Sequence, residues 1–167
     1  MYKNIKNKKE TIVAVSGGFD PLHIGHVRLF QRARKLGNKL VVIINNDNWL
    51  KKKKGFVFMP QKERKEIIEA LGCVDRVVFT CHLKNSVDMS VCEALERIKP
   101  DIFANGGDRT RKNIPEKSVC KSIGCKMVFN IGDGGKIQSS SWLTEKHIQE
   151  KACFCNSEKK YKKCCGK

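Results

Sequence analysis

Residues 11–45 read TIVAVSGGFDPLHIGHVRLFQRARKLGNKLVVIIN, and their periodicity decides the fold. TIVAVS at 11–16 is a short, largely β-branched run halted at Gly17-Gly18, the pattern of a buried strand ended by a tight turn. Ile24, Val27, Leu29, Phe30, Ala33 and Leu36 then recur at helical spacing, and Gly37 closes the helix. KLVVIIN at 39–45 reads as a fully buried strand. Two apolar strands joined through one helix predict a βαβ unit, and hence a parallel sheet.

The alternation continues outward from this stretch. Helices are expected over 60–71, with Pro60 at the start, and over 86–98, 115–123 and 139–149. Strands are expected over 76–80, 101–104 and 126–130. Five strands alternating with five helices predict a doubly wound open α/β sheet, with residues 1–150 as one domain and 151–167 as a tail.

Composition narrows the function. Apolar residues make up 40 % of the 167, enough for a core and against a fully disordered chain. Thirty-four Lys and Arg against 17 Asp and Glu give a formal charge of +17, which favours anionic partners. No apolar run approaches the roughly 18 residues that span a bilayer, so no membrane role is expected. The stretch after the basic N-terminus is too short for a signal-peptide core, and a cytoplasmic location is expected. An odd cysteine count, nine, then argues against a disulfide framework.

Four strand-end loops carry glycines and short polar residues: 17–20 (GGFD), 45–47 (NND), 105–108 (NGGD) and 132–135 (GDGG). Open parallel sheets bind ligands beyond the C-terminal strand ends, and such loops let a phosphate chain approach backbone N–H groups. Gly, Asn and Asp are also ordinary turn formers; it is their recurrence at one sheet edge that points to a site. His23 and His26 follow the first of these loops, three residues apart at a helix N-terminus and so on one face. The free N–H groups and helix dipole there already favour anions, and two imidazoles can donate hydrogen bonds to a phosphate gaining charge.

GGFDPLHIGH at 17–26 resembles the G-x-F-D-x-x-H-x-G-H motif of the HIGH-containing nucleotidyltransferase superfamily, the cytidylyltransferase-like enzymes. Class I aminoacyl-tRNA synthetases share H-I-G-H, but the chain is too short for one and shows no K-M-S-K-S motif. Asn46-Asp47, Lys53-Lys54-Gly55, Pro60 and Arg64 resemble a stretch of the heptose-phosphate adenylyltransferase domain. So do Leu71–Val78, Lys99-Pro100-Asp101 before Gly106-Gly107-Asp108, and Ser139-Ser140-Ser141 through Lys146. Asn105 stands where that family has a lysine, and Arg109, Arg111 and Lys112 add charge just beyond.

The resemblance implies a Rossmann-like fold and a division of labour. His23, His26 and Lys54 would be catalytic, the histidines on the α-phosphate. Gly17, Gly18, Phe19, Asp20, Gly107, Asp108, Ser139, Ser140 and Ser141 would bind the nucleotide. Lys53 and Arg64 would hold the acceptor; most of the lysine run 51–54 is expected to be a solvated loop, with Lys54 preferred over Lys53 as its functional member. The implied reaction moves a nucleoside monophosphate from ATP, or CTP, to a small phosphorylated acceptor such as a sugar phosphate, releasing pyrophosphate. Mg²⁺ would travel with the triphosphate. A glycerol-3-phosphate-type cytidylyltransferase is the alternative, and a non-catalytic nucleotide- or nucleic-acid-binding protein a further one. A homodimer is an arrangement known among such enzymes.

The tail carries Cys153, Cys155, Cys164 and Cys165, four thiols in C-x-C … C-C spacing that can close a tetrahedral site around one Zn²⁺. The string resembles the SEC-C motif, which implies a structural zinc-binding tail. Six lysines against one glutamate from Lys151 onward make it a candidate surface for a protein or nucleic-acid partner.

Overall fold

The computed structural model describes residues 10–106, 114–132 and 138–144. Strands β1 (Ile12–Gly17), β2 (Lys39–Ile44), β3 (Arg76–Phe79), β4 (Ile102–Ala104) and β5 (Lys126–Val128) pair in the order β3-β2-β1-β4-β5. All four pairings are parallel, with Val13 opposite both Leu40 and Ile102. The helices are α1 (Ile24–Arg34), α2 (Asp47–Lys54), α3 (Gln61–Glu69), α4 (Cys92–Ile98) and α5 (Lys117–Ser122).

Strand alternation explains the two core layers. Val13, Val15, Leu40, Val42 and Ile44 face one side, under Phe30 and Ala33 of α1 and Ile68 of α3. Ala14, Val41, Ile43 and Phe103 face the other, under Ala94 and Leu95 of α4 and Cys120 of α5. Both faces are covered, so the strands read as unbroken apolar runs. This is the doubly wound, Rossmann-like α/β sheet expected from the sequence. Strand order reverses between β1 and β4, which puts the ligand-binding crevice at their C-terminal ends.

Two motif carboxylates lie at the opposite edge. Asp101 Oδ2 accepts from the Ile12 N–H at 2.8 Å, and Asp75 Oδ2 from the Leu40 N–H at 2.8 Å. They fasten the incoming ends of β1 and β2, away from the crevice.

The structure differs from the expected elements in two places. The lysine run is not a loop but the last turn of α2, capped by the Asn46 side chain on the Trp49 N–H and ended by Gly55 at φ +82°. Asn46 and Gly55 are ordinary helix start and stop residues, and that pair is the signal that would have found the helix. The helix expected over 86–98 begins only at Cys92. Asp88 turns the chain by accepting from the Ser90 N–H at 2.8 Å, an Asx bond that competes with a helical start. Of the last expected helix, residues 140–144 are described and helical.

Candidate active site

His23 and His26 sit where β1 hands over to α1. His23 is the N-cap, and its Nδ1 accepts from the Gly25 N–H at 3.2 Å. His26 Nδ1 accepts from the His23 N–H at 3.3 Å, which completes a capping box made of two imidazoles. With Nδ1 an acceptor in both, the neutral rings carry their protons on Nε2. The rings stack with centroids 3.6 Å apart. Burial first, then the repulsion that charge on His23 or Lys54 would exert, draws the pKa of His26 down to about 3. At neutral pH it is therefore an uncharged Nε2–H donor.

Phe19 fixes the His26 ring from below. It is buried at φ +50°, with its ring edge-on to His26 at 4.9 Å and to Phe30 at 5.0 Å. Gly17 is required here, because a Cβ at that position would lie 2.8 Å from the Phe19 ring.

Lys54 donates from Nζ to the Asp20 carbonyl at 2.8 Å. Burial draws its ammonium below the ordinary value, against the opposing pull of Asp20. Lys53, one residue earlier, is exposed. The fold thus brings Lys54, rather than Lys53, to the histidines. Asp20 itself is buried, and its two carboxylate oxygens accept from the Phe58 N–H at 2.8 Å and the Met59 N–H at 2.7 Å. These bonds make it the brace of the 55–60 segment.

Arg64 occupies a different place from the one expected. It is fully buried, and its guanidinium donates to the carbonyls of Gly18 (2.6 Å), Asn45 (2.8 Å) and Met59 (2.9 Å) and to Asp47 Oδ1 (2.6 Å). With those nitrogens committed to three loops, it clamps the strand ends of β1 and β2 together instead of reaching an acceptor.

Ser139 and Ser140 are buried, and Ser140 Oγ donates to the Pro21 carbonyl at 2.9 Å. That bond ties the start of the last helix to the histidine loop across 119 residues. Ser141 follows in the same turn, half-buried. Gly107, Asp108 and the four tail cysteines lie outside the described residues.

The site thus gathers His23, His26 and Lys54 beyond the C-terminal end of β1, with a serine-started helix alongside. The cytidylyltransferase-like family model matches residues 14–129, well over half of the chain. The chain belongs to the cytidylyltransferase-like family. A second model, the SEC-C motif, matches residues 151–167. The chain is 33 % identical over 132 residues to the bifunctional protein HldE of Syntrophotalea carbinolica, a match covering 77 % of this chain and 26 % of that protein. It is 37 % identical over 113 residues to the FAD synthase of Pyrococcus horikoshii, covering 67 % and 73 %. The lipopolysaccharide core biosynthesis protein from Thermoplasma volcanium superimposes with a TM-score of 0.60 at 24 % identity, over 75 % of this chain and 99 % of that one, and shares its fold. The chain spans about a quarter of the HldE relative's length. Residues 14–129 are thus a cytidylyltransferase-like domain. Among the described residues no helix is long and apolar enough to cross a membrane.

Proposed function

We propose that the protein catalyses attack of an acceptor's phosphate oxygen on the α-phosphorus of a nucleoside triphosphate. The new P–O bond forms as the bond to the β-phosphate breaks, and pyrophosphate leaves. The stacked His23–His26 pair carries this reading, because it sets two imidazoles at a helix N-terminus. Lys54 supplies positive charge beside them, and the 17–19 backbone and Ser139–Ser141 supply donors for the remaining phosphates. Gly107 and Asp108 are assigned to the base and ribose, and Lys53 to the acceptor. No covalent enzyme intermediate is needed; positioning and charge neutralisation carry the rate.

ATP is the nucleotide we assign. The FAD synthase relative supports it, since FAD contains an AMP half, as does the resemblance to the heptose-phosphate adenylyltransferase domain. The cytidylyltransferase-like match supports CTP, with a glycerol-phosphate-type acceptor, as the second reading. Mg²⁺ is assigned to the triphosphate, whose phosphate oxygens would hold it. In the tail, Cys153, Cys155, Cys164 and Cys165 are assigned to one structural Zn²⁺, which the SEC-C match supports.

The test is pyrophosphate release with each of ATP, CTP, GTP and UTP, against pooled sugar and alcohol phosphates. Release with ATP is expected, falling by about 10²–10³ in kcat when one histidine is replaced, as in His23→Ala or His26→Ala. Release with CTP alone moves the assignment to cytidylyl transfer. No nucleotide binding and no release with any of the four overturns the reading.

A further inference from the structure

The loop between β3 and α4 holds a buried histidine that the proposed chemistry does not use. His82 Nδ1 lies 2.9 Å from Thr80 Oγ1, and Nε2 lies 3.0 Å from the Ser90 carbonyl. A carbonyl only accepts, so Nε2 carries the proton and Nδ1 accepts from the Thr80 hydroxyl. The same Thr80 oxygen accepts from the Asn46 N–H at 3.1 Å. The His82 carbonyl accepts from Asn46 Nδ2 at 2.8 Å and from Asn48 Nδ2 at 3.0 Å. Farther along the loop, Met89 accepts from Trp49 Nε1 at 2.8 Å, and Ser86 from Lys52 Nζ at 2.5 Å.

Every donor in that series except the loop's own belongs to α2 or its cap. The helix needs such support. It has eight residues, four of them consecutive lysines, and Leu50 is its buried residue. Helices shorter than about 12 residues are marginal without tertiary packing. On its other flank Gln61 accepts from the Asp47 N–H at 2.9 Å, and Arg64 holds the Asp47 carboxylate. Lys54 ends this helix, so its reach to the Asp20 carbonyl depends on where α2 is held.

We propose that His82 is a positioning residue for nucleotidyl transfer, locking the 80–91 loop so that the loop grips α2 and sets Lys54 against His26. This rests on the transferase reading for its kinetic consequence, but its structural half can be read without activity.

The experiment compares His82→Ala and His82→Gln in the full chain. Gln can accept from Thr80 and donate to the Ser90 carbonyl as the ring does. His82→Ala is expected to lower kcat about tenfold with the nucleotide KM changed less than about twofold, the mark of misplacement rather than lost binding. The Trp49 indole N–H, followed by NMR, should exchange about tenfold faster, and His82→Gln should restore both readouts. Unchanged indole exchange in His82→Ala overturns the proposal, as does faster exchange with kcat intact. If His82→Ala does not fold, Asn48→Ala replaces it, with a loss of about threefold in kcat and faster indole exchange expected; no change in either overturns the proposal. If the unaltered protein releases no pyrophosphate, the transferase reading fails by itself, and indole exchange alone decides whether His82 holds α2.

Discussion

The imidazole planes of His23 and His26 lie 24° apart, with centroids separated by 3.6 Å. Each ring is held through Nδ1 by a backbone N–H of the same helix start, so the stack is built by the turn itself. Burial keeps His26 neutral, and repulsion between two cationic rings so close would act in the same direction.

That neutrality has a cost in acid. Unfolded, His26 takes a proton near 6.5; folded, only near 3. Between those values the unfolded chain binds a proton that the native state refuses, so stability falls as pH drops through this window and is full above it. The loss attributable to His26 should reach about 2 kcal/mol at about pH 5. Calorimetry at pH 7.5 and pH 5 should show a smaller drop in Tm for His26→Gln than for the unaltered protein. Equal drops would dismiss the effect.

Arg64→Lys should destabilise the fold by about 3 kcal/mol, because one ammonium cannot serve three carbonyls and a carboxylate from the same buried position. Urea unfolding measures this, and an unchanged midpoint would show that the clamp is dispensable.

Gly17→Ala should cost about 1–3 kcal/mol through overpacking against Phe19. Since Phe19 backs His26, activity should fall along with stability. Chemical denaturation and pyrophosphate release on the same sample separate the two losses. An alanine variant with both intact would refute the close packing.

Zinc content offers an independent check on the tail. Purified chain should carry about one zinc, and Cys164→Ser with Cys165→Ser should carry essentially none. Metal analysis by plasma emission decides it, and a zinc-free chain purified in the presence of zinc would end the assignment.

The parallel sheet and the histidine pair were legible in the residues alone. Strands buried on both faces must be apolar throughout, so runs such as KLVVII at 39–44 announce themselves. His23 and His26 are three residues apart on one turn, and a local turn fixes local neighbours. The hydrogen bonds of Arg64, Asp20 and His82 were not legible in the same way. Their partners lie far off in sequence: Gly18 is 46 residues from Arg64, Met59 is 39 from Asp20, and Asn46 is 36 from His82. Periodicity carries no information about such pairs.

The sequence by itself therefore determined the strand and helix alternation and the pairing of the two histidines at the first turn, because both follow from neighbours within a few residues. Only the tertiary structure decided that Lys54 of the lysine run is brought to the histidines, that Arg64 is a clamp, and that His82 stands behind α2. Parallel pairing of β1, β2 and β3 brings their C-terminal loops to one edge, and buried polar groups gathered there must satisfy one another's hydrogen bonds.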